Sequence, residues 1–161
     1  MKFYIHHLYL LLAMVALIVC MCVPSLVTFV YEDLSSVSMN NFVLRQVVMG
    51  QEATSSATPC ALGILLIVSA LVAAFTMFVS LFQNFALQKR SAIFNCCVLA
   101  GYYLILLAFV LILRGDTRMV SLGWQACLPM VALIFNAMSF ASIRHTEAKM
   151  LARANNFRLR D

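Results

Sequence analysis

Four stretches of the chain contain no Asp, Glu, Lys or Arg: Leu8–Tyr31, Cys60–Phe82, Ala92–Leu113 and Met119–Ile143. Each exceeds the roughly 20 residues with which a helix crosses a hydrocarbon core about 30 Å thick. In lipid only helices and closed barrels satisfy every backbone group. Barrel strands alternate apolar and polar positions, and these runs do not. The pattern therefore predicts four transmembrane helices. The long connection, residues 32–59, opens EDLSSVSMNN and closes GQEATSSATP. Between these ends, FVLRQVVMG is rich in β-branched residues and allows a short strand or hairpin in this first outer loop, although an isolated hairpin is marginal in water. The second connection, QNFALQKRS, is short. The third, RGDT, is very short, so spans three and four read as antiparallel neighbours. The expected fold is a single all-α membrane domain covering residues 1–161. It is a four-transmembrane-helix bundle, up-down-up-down, followed by a basic tail at 144–161.

Composition agrees with lipid as the solvent. The chain has 161 residues, 64% hydrophobic and 11% charged, where a soluble domain is about a quarter charged. The net charge of +5 then reads as orientation rather than as a nucleic-acid surface. With the N-terminus, second connection and tail on one side, that side holds Lys2, Lys89, Arg90, Arg144, Lys149, Arg153, Arg158 and Arg160. The other side holds Arg45, Arg114 and Arg118. Basic residues accumulate on the cytoplasmic side of membrane proteins, so both termini are expected in the cytoplasm. The first run is too long for the apolar region of a cleaved signal, and no A-x-A site follows it. LIVC, Leu17–Cys20, has the wrong residue before the cysteine for a lipoprotein box. The run reads as a retained span bent near its far end by Pro24.

Helices in lipid associate through small residues and interhelical hydrogen bonds. On span four, Gln125, Pro129, Ala132, Asn136, Ser139 and Ile143 are spaced by four, three, four, three and four, a seam of the coiled-coil kind. It is mostly small or polar, so it is expected to face the interior, with Asn136 bridging to another helix. Span three has Ala92, Cys96 and Ala100 in one row, and span two has the pairs Ser69/Ala73 and Ala70/Ala74. Asn95 and Tyr102, two turns apart on span three, suggest structural hydrogen bonds ahead of a polar pocket. In the tail, Ile143, Met150, Leu151, Ala154 and Phe157 share one helical stripe, with most basic residues off it. Such a helix either lies on an anionic leaflet or runs on into the cytosol.

Catalytic chemistry is missing from this pattern. No ionisable acid or base sits mid-span, where proton-coupled carriers place one, and no H-E-x-x-H, G-x-S-x-G or phosphate loop occurs. Cys20, Cys22, Cys60, Cys96, Cys97 and Cys127 form no C-x-x-C pair and no zinc spacing, so they read as small packing thiols. His6, His7 and His145, with Glu147 nearby, read as interfacial polar groups before they read as a metal site. Arg114-Gly115-Asp116 reads as a tight turn. No enzyme activity, cofactor or metal is expected.

The C-terminal SLGWQACLPMVALIFNAMSFASIRHTEAKMLARANNFRLR resembles the end of a family of small four-span membrane proteins of Bacteroidota known as domain of unknown function family 4293. The resemblance rests on Ser121-Leu122-Gly123, Leu128-Pro129, Ala132-Leu133-Ile134 with Asn136, Ile143-Arg144, Glu147 and Arg158-Leu159-Arg160. Asn84 with Leu87-Gln88, and the opening HHLYLLLAMVAL, are similar to it as well. Phe85 and Ala86 depart from it where the family often has basic residues. The resemblance implies an inner membrane and a periplasmic long loop. Together with the missing catalytic groups, the expectation is a non-enzymatic scaffold or accessory subunit. Its partners would be the bilayer and either another membrane protein or a second copy of the chain. The alternative is a small carrier or channel for an apolar or neutral solute, lined by Gln125, Asn136, Asn95 and Tyr102.

Overall fold

The computed structural model describes residues 5–23, 25–31, 35–48, 51–55, 60–82, 84–114 and 117–158. It contains four long helices: α1 (Ile5–Cys22), α2 (Cys60–Leu81), α3 (Phe85–Arg114) and α4 (Leu128–Arg158). All four are long and apolar enough to cross a membrane. Their buried residues follow one rule. In α1 these are His6, Leu10, Ala13, Leu17 and Cys20. In α3 they are Gln88, Ala92, Asn95, Leu99, Tyr102 and Leu106. Leu62, Leu66, Ser69, Ala73, Thr76 and Ser80 of α2, and Ala132, Asn136, Ser139 and Ile143 of α4, keep the same alternating steps of three and four. A seven-residue repeat of this kind keeps a straight seam toward the neighbouring helices. Each helix packs on two others: α1 on α4 and α2, and α3 on α2 and α4.

The chain also builds a five-stranded antiparallel sheet in the order β4-β3-β2-β1-β5. Its strands are β1 (Val27–Tyr31), β2 (Ser36–Met39), β3 (Leu44–Val48), β4 (Gln51–Ser55) and β5 (Thr117–Leu122). The expected all-α class is therefore corrected to four helices plus a sheet. FVLRQVVMG itself supplies only one strand of a larger object, β3, which pairs β2 on one side and β4 on the other. Two expected spans are corrected with it. The run Leu8–Tyr31 is helical only to Cys22, and its last five residues are β1. The run Met119–Ile143 opens as a strand, so the link from α3 to α4 is not the four residues RGDT but reaches to Cys127. The two misread ends pair with each other, Thr28 opposite Ser121 and Phe29 opposite Val120.

Alternation gives the sheet two faces. Val27, Phe29, Val37 and Met39 are buried and join Leu62, Leu66, Leu99, Tyr102 and Leu106 in one core. Thr28, Ser38, Ser121 and Arg45 are directly opposed across β1, β2, β5 and β3 and form a polar row on the other face. The sheet thus closes one end of the helices with its apolar side. There the carbonyl of Asn41 accepts from the Gly63 N–H, at 3.0 Å, which satisfies an orphan donor of the first turn of α2. A Cβ on Gly63 would run into the ring of Phe42, so glycine is what lets this loop sit against the helix. At the opposite end, the backbone N–H of Leu87 reaches Asn84 Oδ1 at 3.3 Å, an N-cap for α3. Pro24, Lys2, Arg160 and the Gly115–Asp116 turn lie outside the described residues.

Candidate functional site

The interior of the helices is more polar than their outside. Leu71, Phe82, Leu104 and Ile112 are 64%, 70%, 69% and 76% exposed, whereas Asn95 and Asn136 are 1% and 0% exposed. Every helix contact carries a polar link. Between α1 and α2, His6 Nε2 and Ser80 Oγ are 2.9 Å apart. Between α1 and α4, Ser139 donates to the His6 carbonyl at 3.4 Å. Between α2 and α3, Ser69 donates to Asn95 Oδ1 at 2.7 Å. On the same pair, Thr76 Oγ1 and Ser91 Oγ are 2.6 Å apart. Thr76 gives its own proton to the Val72 carbonyl at 2.7 Å, so Ser91 is the donor to Thr76. Between α3 and α4, Asn136 Nδ2 donates to the Ala92 carbonyl at 2.9 Å and lies 3.1 Å from Cys96 Sγ.

The residues singled out on span four fall as follows. Pro129, Ala132, Asn136, Ser139 and Ile143 are buried, and Gln125 is half-buried. Gln125 contributes its carbonyl to Cys20 Sγ at 3.9 Å. Asn95 and Tyr102 serve different places. Asn95 belongs to the mid-helix links, while Tyr102 donates to Asn41 Oδ1 at 3.0 Å beneath the sheet. Asn41 in turn donates to the Cys20 carbonyl at 2.8 Å. No reading of the sequence pointed to Asn41, because no periodicity ties a loop residue to two helices. The Asn-Asn pair was the available cue, and it signals a turn.

Sequence reasoning also missed Gln88. It reads as part of a basic connection, yet it lies inside α3 at 0% exposure. Both polar atoms of its amide lack a hydrogen-bond partner among the described residues, as do Asn95 Nδ2 and Asn136 Oδ1. A native structure holds few such groups, and each needs a reason.

Of the basic residues, Lys89 pairs with Glu147 at 2.7 Å, each side chain about 30% exposed (31% and 30%). Arg90, Arg144 and Lys149 are exposed. Arg144 Cζ stands 6.0 Å from the centroid of the Phe140 ring. Arg153 and Arg158 are carried by α4, which continues unbroken to Arg158. His6 and His7 stack with ring centroids 4.4 Å apart, and His145 is exposed on α4. Among the described residues no group of three or more His, Cys, Asp or Glu is placed to hold a metal. The six cysteines are free thiols, only Cys20 of them fully buried.

No curated protein matches the chain. The family described as "Domain of unknown function (DUF4293)" matches residues 5–155. The match covers α1 to α3, the sheet and α4 as far as residue 155, and the chain belongs to that family.

Proposed function

We propose that the chain is an integral inner-membrane protein whose four helices cross the bilayer in alternating directions, with both termini in the cytoplasm. In this reading it acts as a non-enzymatic accessory subunit or scaffold for another membrane protein or for lipid. The observation that carries it is the polarity of the helices, with Leu, Ile and Phe exposed along the outside while Asn, Ser, Thr and Gln are buried among the Leu and Ala of the interior. In water that exterior would be a vast apolar patch; in lipid it is the ordinary surface, and interhelical hydrogen bonds replace the hydrophobic effect as glue. The sheet would then lie at the periplasmic surface, and α4 would extend past the inner leaflet. At about 1.5 Å per residue, its 31 residues exceed the hydrocarbon thickness. Purification in mild detergent with chemical crosslinking tests the scaffold role. A reproducible protein or lipid partner is expected, and recovery of the bare chain from several detergents counts against it.

A second reading is a carrier or channel for a neutral solute. It is favoured by the unmet hydrogen-bond capacity of Gln88, Asn95 and Asn136, which water or a small polar solute would satisfy. Proteoliposomes holding the chain would then pass water or a neutral solute faster than empty vesicles. Gln88→Leu would abolish the difference.

A further inference from the structure

A groove of about 290 Å³ runs between α3 and α4 on their outward side, lined by Ala92, Ile93, Cys96, Cys97, Ala100, Ala137 and Phe140. That places it at the small end of ligand-pocket sizes. Its walls are almost wholly apolar. Its floor is held by Asn136, which binds the Ala92 carbonyl and the Cys96 thiol from across the helix contact.

The groove has one charged end. On α3 the stripe Ile93–Cys97–Ala100 continues one turn toward the N-terminus to Arg90, at the same steps of three and four. On α4 the stripe Ala137–Phe140 continues to Arg144, whose guanidinium stands over the Phe140 ring. The two helices run in opposite directions here, because Asn136 meets Ala92 while Glu147, farther along α4, meets Lys89 earlier on α3. Both arginines therefore stand at the same mouth. Both are exposed. The neighbouring acid, Glu147, is taken up by Lys89, so the mouth is a concentration of uncompensated positive charge among the described residues.

We propose that this groove binds an anionic phospholipid, with an acyl chain against Ile93, Cys97, Ala100, Ala137 and Phe140 and the phosphate held between Arg90 and Arg144. This inference rests on the reading that the helices lie in a bilayer. An exposed groove in a lipid-facing surface is filled by an acyl chain or by another helix. The charge selects the lipid: guanidinium forks match phosphate oxygens in geometry and sign, and basic pockets between helices on the cytoplasmic side recognise lipid headgroups. A second copy of the chain fits worse. Copies share one orientation in a membrane, so a symmetric pair across this groove would bring four arginines to the same level.

Native mass spectrometry of the full chain in mild detergent, with added phosphatidylglycerol or phosphatidylcholine, tests the site. The chain should retain phosphatidylglycerol in preference to phosphatidylcholine. The double variant R90Q/R144Q should lose that preference, with phosphatidylglycerol occupancy falling about tenfold or more. Ala100 is exposed, so Ala100→Leu fills the groove without touching the core, and it should remove both lipids. Lys149→Gln, at the same end but off the groove, should change occupancy less than about twofold, since single exposed charges contribute little when screened. Several outcomes overturn the proposal: an undiminished preference in R90Q/R144Q, full lipid occupancy in Ala100→Leu, displacement by inorganic phosphate as effective as by lipid, or a dimer that Ala100→Leu disrupts. Carbonate extraction of the same membranes separates the two failures. A chain that stays embedded but shows no lipid preference sinks only this site, and a chain that is washed off sinks the membrane reading beneath it.

Discussion

Asn41 shows how much of the sheet end depends on one residue. It is 0% exposed, it accepts from the Tyr102 hydroxyl at 3.0 Å, it donates to the carbonyl near the end of α1 at 2.8 Å, and its own carbonyl caps α2. Asn41→Ala would leave the Cys20 carbonyl buried without a partner and the Tyr102 hydroxyl with only the weak acceptor Cys20 Sγ. A buried group left unpaired costs about 1–3 kcal/mol and a weakened bond about 1 kcal/mol, so the variant should lose about 2–4 kcal/mol. Tyr102→Phe orphans only Asn41 Oδ1 and should cost about 1–2 kcal/mol. Because the two share one bond, the double variant should cost less than the sum. Unfolding by SDS titration in detergent micelles, followed by helical circular dichroism, measures all three. Strict additivity would mean that the two side chains do not meet. At this scale the sequence was partly legible. Asn136 stood out because it broke an apolar run at a seam position. Asn41 and Gln88 did not, since each looks like an ordinary loop or surface polar residue until the fold brings helices around it.

The elements tell a similar story at longer range. Charge-free runs located all four helices, because a helix that shuns charge for more than 20 residues has few other homes. They misplaced two boundaries for one reason. Hydropathy counts charge and apolar mass and ignores backbone geometry, and a short apolar strand cannot be told from helix by periodicity alone. Val27–Tyr31 and Met119–Leu122 were absorbed into spans, although Val27, Thr28, Phe29, Val30 and Tyr31 all suit a strand; in Met119–Leu122 only Val120 does, and its pairing with β1 decides the strand. Their pairing is testable in isolation from the rest. Thr28 and Ser121 are directly opposed, and facing Cβ atoms on neighbouring strands lie about 4.5–5.5 Å apart, close enough for a disulfide after small adjustments. Thr28→Cys with Ser121→Cys should therefore crosslink on mild oxidation, seen as a linked peptide by mass spectrometry. Thr28→Cys with Met130→Cys, whose partner sits on α4 beyond the turn, should not. If the first pair stays reduced while both thiols are reactive, β5 is not where the sheet order places it.

For the whole molecule, the decisive feature is that the four seams close on one another while most basic residues gather at the end away from the sheet, with Arg45, Arg114 and Arg118 at the sheet end. Lys89, Arg90, Arg144 and Lys149 all stand near the meeting of α3 and α4 marked by the Lys89–Glu147 pair. Arg45 is exposed on the sheet. On the proposed membrane reading, the positive-inside rule would turn this internal geometry into an orientation, with the sheet outside and the basic end in the cytoplasm. The conversion is the step that the fold by itself does not supply, and single-cysteine labelling supplies it. In a background with the six native thiols replaced, Ser121→Cys places a thiol on the exposed outer row of the sheet, and Lys149→Cys places one on the exposed face of α4 beyond the ion pair. A membrane-impermeant maleimide should label Ser121→Cys in spheroplasts with intact inner membranes and leave Lys149→Cys unmodified. In inverted vesicles the pattern should reverse. Labelling of both from one side would mean that the helices do not carry the chain across the bilayer between those two points. The opposite pattern would keep the fold and turn it over, placing the groove mouth of Arg90 and Arg144 in the periplasm and removing the cytoplasmic leaflet as the source of its lipid.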